Sequence, residues 1–228
     1  MLALRLEAVS MSFPGLSAPV LDIAFLDIAA GSRIAVNGAS GSGKSTLVNI
    51  ITGLERCTSG RVEWGGTDIA VLSESRRDRW RAINIGLVMQ DFHLFPGLSA
   101  LDNVLLPARL SRDISADVIE RARLLLRKTG LNRPDQRIET MSRGEMQRVA
   151  VARALVRRPG VIVADEPTAS LDAGSGHAVG DLLIELAEAE KSTLIVVSHD
   201  ARLTARLDRR IVLDSGRVVS DTVMELAA

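Results

Sequence analysis

The stretch "GASGSGKST", Gly38 to Thr46, decides how the chain is read. It fits the pattern G-x-x-x-x-G-K-[ST] and stands between the apolar run "SRIAVNG" (Ser32 to Gly38) and "TLVNIITGL", an apolar helix start. A strand, a glycine-rich turn and a helix in that order let successive backbone N–H groups turn inward around a phosphate, and the helix N-terminus adds partial positive charge. In this reading Gly38, Ala39, Ser40, Gly41, Ser42, Gly43, Lys44, Ser45 and Thr46 surround the phosphates of a nucleoside triphosphate. Lys44 reaches the β- and γ-phosphates, and the Ser45 hydroxyl holds Mg²⁺. The competing reading is a flexible glycine loop, and the flanking strand and helix count against it.

Outward from that loop, strands alternate with helices. "INIGLVMQ" (Ile83 to Gln90), "GVIVADE" (Gly160 to Glu166), "STLIVVSHD" (Ser192 to Asp200) and "RRIVLDSG" (Arg209 to Gly216) are short runs rich in valine and isoleucine, the signature of buried strands. "HAVGDLLIELAEAEK" sets Val179, Leu182, Leu183 and Leu186 at helical spacing, which predicts a crossover helix on a mostly parallel sheet. "SADVIERARLLLRKTG" repeats apolar residues at Val118, Ile119, Ala122, Leu125 and Leu126 and stops on Gly130. The fold class expected is therefore α/β, a phosphate-loop core with a mostly parallel sheet. "LALRLEAVSMSF" and "GRVEWGG" supply an N-terminal antiparallel β subdomain. A helical subdomain at about residues 91–158 is inserted into the core, and residues 1–228 form a single domain.

The acidic strand end "VIVADEPTASLD" carries the second motif. Its apolar residues deliver Asp165 and Glu166 to the C-terminal end of a strand, where ligands collect in open α/β sheets. Successive strand side chains diverge, so the two acids take different tasks. Asp165 joins the Mg²⁺ shell, while Glu166 orients the attacking water and draws off its proton. Alone, the pair could be a solvated acidic turn. Behind a phosphate loop it points to a nucleoside triphosphatase, although a small-molecule kinase would carry the same loop.

Composition narrows the classes of partner. Lysine plus arginine and aspartate plus glutamate number 28 each among 228 residues, so the whole-chain charge gives no support for a nucleic-acid or anionic-membrane surface, and any polyanion must be bound locally. The 46% hydrophobic content suffices for a real core. The single cysteine, Cys57, rules out an internal disulfide framework and suits a reducing compartment. "MLALRLEAVSMSF" lacks a leader pattern, and no run of apolar residues is long enough to span a bilayer. Direct membrane insertion is not expected.

The order of the motifs, from the loop through Gln90 at the end of a strand, "MSRGEMQRVAVARAL" (Met141 to Leu155), the acidic strand and "VVSHD", closely resembles that of ATP-binding cassette (ABC) transporter ATPase subunits over Leu4 to Val219. The resemblance implies a homodimer in which two copies sandwich two ATP molecules. Each half-site then joins the phosphate loop of one copy to Ser142, the Gly144 amide and Asp172 of the other, the first two being an anion site at a helix N-terminus. It also implies that Gln90 touches Mg²⁺ or the water, that His199 contacts the γ-phosphate and steadies Glu166, and that Phe13 falls where the family stacks an aromatic ring on adenine. Phe13 as a core anchor is the other reading.

One departure bears on activity. Where the family has leucine, serine, glycine, glycine, glutamine, this chain has Met141, Ser142, Arg143, Gly144 and Glu145. Arg143 replaces a glycine, at a cost on the order of 1 kcal/mol if the backbone there needs φ > 0. A cation near a γ-phosphate could instead compensate.

"MQDFHLFPGLSALDNVLLPARL" and the endings "GEMQRVAVARAL" and "ADEPTASLD" are most similar to the subgroup of lipoprotein-release, macrolide-export and cell-division ATPases. That resemblance implies a protein peripheral on the cytoplasmic face of the inner membrane, driving a separate transmembrane permease subunit. Phe92, Leu94, Phe95 and Leu98 are the expected docking anchors, or else simply pack the helical subdomain. An amino-acid-type importer ATPase, and a regulatory binder with weak hydrolysis because of Arg143, are the alternatives.

Overall fold

The computed structural model describes residues 1–224, so the C-terminal limit of the expected domain lies outside the described residues. In chain order the elements are β1 (Leu4–Met11), β2 (Leu21–Ile28), β3 (Arg33–Asn37), α1 (Lys44–Ile51), β4 (Ser59–Trp64), β5 (Thr67–Asp68), α2 (Glu74–Asn84), β6 (Ile85–Val88), α3 (Ala100–Leu110), α4 (Ala116–Lys128), α5 (Arg143–Leu155), β7 (Val161–Asp165), α6 (Ala173–Ala189), β8 (Thr193–Val197), α7 (Ala201–Thr204), β9 (Arg209–Asp214) and β10 (Arg217–Val223). The larger sheet runs β10-β9-β3-β8-β7-β6. Its strands from β9 to β6 are parallel, and β10 closes one edge antiparallel. The smaller sheet, β2-β1-β4-β5, is antiparallel throughout.

Strand periodicity divides the core in two. Along β7, Val161 and Val163 enter one apolar cluster, with α1 and the smaller sheet, while Ile162 and Ala164 enter the other, with α3 to α6. The same alternation separates Ile34 and Val36 from Ala35, and Ile195 and Val197 from Leu194 and Val196. A strand whose side chains point alternately to opposite faces needs cover on both, which is why these runs are continuously apolar. β1 and β2 show the other pattern: Leu4 and Leu6, like Leu21 and Ile23, are buried with wetter residues between them.

The predicted crossover helix is α6, where Val179, Leu183 and Leu186 are buried and Leu182 packs at the edge of the cluster. In α4, Ala122, Leu125 and Leu126 are buried, with Val118 and Ile119 partly so. Ser115 caps that helix by accepting from the Val118 N–H. Helices α3, α4 and α5 pack on one another between β6 and β7.

Two elements differ from expectation. The strand expected from Ile83 begins only at Ile85, because Ile83 and Asn84 finish α2. Helix α2 has no buried residue and hence no apolar stripe for periodicity to find. It is held by Trp80, which packs partly buried against the apolar cluster, and by Arg77 and Arg81, which both donate to the Gly53 carbonyl, at 3.0 and 2.8 Å. Among the described residues no helix is long and apolar enough to cross a membrane.

Candidate functional site

The turn between β3 and α1 is shaped by glycines. Gly43 has φ +99°, and a Cβ there would lie 2.9 Å from the Val20 carbonyl oxygen. At Gly38 a Cβ would collide with the Leu213 carbonyl oxygen, because β9 passes directly against it. Gly43 is also the N-cap of α1 and has no side chain to bond the first-turn amides, and no acidic residue sits in that turn. The helix N-terminus is therefore left with its partial positive charge unanswered, the condition for receiving an anion. Lys44 is 9% exposed, and its Nζ donates to the carbonyls of Gly38 and Ala39 at 2.7 and 2.8 Å. The ammonium is held inside the loop it serves.

A cleft of about 640 Å³ opens over this loop, lined by Ser40, Gly41, Gly43, Lys44, Ser45 and Thr46 together with Gln90, Asp165, Glu166 and His199. The parity of β7 explains the acidic pair. Asp165 continues the row of Val161 and Val163, the face packed on α1, and so comes within the field of Lys44. Glu166 leaves the strand at φ +46°, its N–H donating to the Val197 carbonyl at 2.8 Å. That bend turns its carboxylate toward His199, with Oε1 3.4 Å from Nε2 and Oε2 accepting from the His199 N–H at 3.3 Å.

Burial, and then the neighbouring Glu166, push the Asp165 carboxyl above its ordinary range, with Lys44 opposing. The charged form is thus penalised in the folded state. The penalty is fully present at neutral pH and disappears as the pH falls below the ordinary carboxylate range. Asp165→Asn is therefore expected to raise the melting temperature of the nucleotide-free protein at pH 7, by a margin that shrinks toward acid pH. Thermal melts across that range check it, and an equal or lower melting temperature at pH 7 refutes it.

The remaining expected residues lie elsewhere. Ser142 caps α5 in a reciprocal box: its Oγ accepts from the Glu145 N–H at 3.3 Å, and the Glu145 carboxylate accepts from the Ser142 N–H at 2.9 Å. The Ser142 N–H, and then the Ser142 hydroxyl, which donates to the same carboxylate oxygen at 2.9 Å, hold the Glu145 carboxyl below its usual range. Asp172 caps α6, accepting from the Gly174 and Ser175 amides at 3.1 and 3.0 Å. The two N-termini abut, since a Cβ on Gly144 would stand 3.2 Å from Ser175 Oγ. Ser142, Gly144 and Asp172 do not line the cleft over the phosphate loop. Nor does Phe13, which is half-buried in the connection from β1 to β2 and is not a core residue. Of the four expected docking anchors, Phe92 is buried and Leu94 and Leu98 are half-buried, while Phe95 is 54% exposed.

Arg143 opens α5 in helical backbone, with no positive φ, so the cost attached to a left-handed conformation does not arise. Sequence reading named Glu145 but not its capping role, which the spacing S-x-x-E at Ser142 could have revealed. It also missed Val20, Thr168, Ala169 and Asp200 in the cleft wall, which packing alone brings there.

A parallel α/β sheet with a phosphate-binding turn at its C-terminal edge defines a phosphate-loop nucleoside triphosphatase. Comparison with known proteins narrows this. The ABC transporter family model matches residues 21–169. The lipoprotein-releasing system ATP-binding protein LolD of Xanthomonas axonopodis pv. citri is 39% identical over 218 residues, covering 94% of this chain and 89% of its own. LolD of Hydrogenovibrio crunogenus is 40% identical over 205 residues, covering 90% and 89%. The dimeric post-hydrolysis structure of the ATP-binding cassette MJ0796, bound to ADP and Pi, superposes with a TM-score of 0.87 at 33% identity, covering 99% of both chains. The chain belongs to the ABC transporter family, as an ATP-binding subunit with ATPase activity.

Proposed function

We propose that two copies of the chain close head to tail around two Mg²⁺–ATP molecules and that this closure drives a separate transmembrane permease, in the manner of lipoprotein release or extrusion of another envelope substrate. One observation carries the dimer: the groups expected to contact nucleotide fall into two sets in a single chain. Lys44, Ser45, Gln90, Asp165, Glu166 and His199 share the cleft, and Ser142, Gly144 and Asp172 stand outside it. A second copy related by a twofold axis brings the second set over the first. The dimeric cassette MJ0796 is similar in fold and sequence, and the LolD relatives are named for a lipoprotein-releasing system.

The cleft suits Mg²⁺. Ser45, Gln90 and Asp165, whose side chains all carry oxygen donors, line its wall, and among the described residues no cluster of three or more histidine, cysteine, aspartate or glutamate side chains could hold a metal alone. Magnesium is commonly held by one or two carboxylates plus substrate phosphates, and a cation answers the raised Asp165 carboxyl. Bound there, the ion neutralises charge on the phosphates. Glu166 orients a water in line with the γ-phosphate and accepts its proton, His199 holds Glu166 in place, and Lys44 stabilises the charge that develops on the phosphoryl oxygens. Phosphate release lets the dimer reopen. The chain sits on the cytoplasmic face of the membrane, attached through the permease, in the region of Phe95 and the loop after Gln90.

Light scattering of Glu166→Gln protein tests this. With saturating Mg²⁺ and ATP it should double in mass, and without nucleotide it should return to one copy. A single copy under both conditions defeats the proposal.

A further inference from the structure

Arg143, at the position where the family has glycine, joins three separate segments of the chain. Its Nε donates to the Ser170 carbonyl at 3.0 Å, two residues before Asp172, and its guanidinium carbon lies 5.3 Å from the centroid of the Phe92 ring, two residues after Gln90. Phe92 is buried, and both it and His93 have left-handed backbone, φ +56° and +46°. Non-glycine residues hold that conformation only where surrounding contacts impose it. Here the imposing contacts come from α5. At the far end of the helix Arg153 donates to the carbonyls of Phe92 and His93, at 2.7 and 2.5 Å. In the middle, the buried Gln147 donates to the Pro167 carbonyl at 2.7 Å, directly after Glu166.

We propose that Arg143 is a positioning residue for ATP hydrolysis. It latches the loop after Gln90 to the segment between Glu166 and Asp172, so that the groups carried by both loops move with α5 as one body. The arginine at the family's glycine position is then turned toward Ser170 and Phe92, with its Nε engaged by the Ser170 carbonyl. Planarity matters: arginine can stack on a ring and donate along its edge at once, which lysine cannot. The inference rests on the assignment of Gln90, Glu166 and Asp172 made above.

Two readouts on purified protein test it. In steady-state hydrolysis, Arg143→Ala and Phe92→Leu should each lower kcat about threefold to tenfold with KM for ATP within twofold, the size expected from losing one cation–π contact or one hydrogen bond. The double variant should fall no further than the worse single one, and Arg143→Lys should recover only part of the loss. In hydrogen exchange on the nucleotide-free protein, Arg143→Ala should speed exchange at residues 90–95 and 170–172. A raised KM with unchanged kcat would assign the guanidinium to nucleotide instead, and multiplying effects in the double variant or unchanged exchange would also overturn the latch. Should wild type hydrolyse no faster than Glu166→Gln, the assignment of the catalytic groups fails, while the exchange measurement still decides on Arg143.

Discussion

Glu166→Gln is expected to lower ATP turnover by about 10²–10⁴-fold, the usual contribution of a positioned general base, with little change in nucleotide affinity. Glutamine keeps the length, the planar end and an acceptor oxygen, so the contact with the His199 N–H at 3.3 Å can persist. What is lost is the negative charge that accepts a proton from water. The main chain at Glu166 is fixed independently of the side chain, by its N–H on the Val197 carbonyl and by the positive φ. Removing the charge also removes one cause of the raised Asp165 carboxyl, so Asp165 in the variant should titrate nearer its ordinary value. Phosphate release under saturating ATP measures the loss of turnover. A variant that keeps a tenth or more of wild-type activity would exclude Glu166 as the base.

The second large effect is on binding. Lys44→Ala should raise the dissociation constant for Mg²⁺–ATP by about 10- to 150-fold, since hydrogen bonds to a charged group contribute roughly 1.5–3 kcal/mol, and turnover should fall below detection. In the nucleotide-free protein the ammonium already bonds the Gly38 and Ala39 carbonyls at 2.7 and 2.8 Å. Little reorganisation is then needed when phosphate arrives, which is how a preorganised charge stabilises a transition state. Alanine would leave those two carbonyl oxygens facing an anion with no cation between them, adding repulsion to the lost attraction. Calorimetric titration with a non-hydrolysable ATP analogue checks the affinity. Wild-type affinity in the alanine variant would remove Lys44 from the phosphate site.

Much of the site was legible because its parts are local. The glycines from Gly38 to Gly43 precede Lys44 within one turn, and Asp165 and Glu166 end one strand, so spacing along the chain sets their geometry within a few ångströms. The five apolar runs of the parallel core were legible for a related reason: strands buried on both faces must be continuously apolar. Elements lacking such a signal were not found. Helix α2 has no fully buried residue and meets the core through Trp80 alone of its apolar side chains, and β2 breaks its alternation where Ala24 and Phe25 are both exposed. Arg143 is instructive in another way. Residue type alone left open both strain and compensation, and its contacts with Ser170 and Phe92 lie 27 and 51 positions away, counted from the residue numbers.

What the amino-acid order determined on its own was therefore the chemistry: a phosphate turn, an acidic strand end and a helix start able to face an anion. Tertiary structure alone decided which of these groups share a cleft and which face away from it. It also decided that Arg143 donates to Ser170 and stands over the Phe92 ring. The physical reason is range. Backbone turns and strand parity act over a few residues, whereas the meeting of β9 with the phosphate loop, of α5 with α6, and of Val20 with the cleft depends on how two apolar cores close against one sheet.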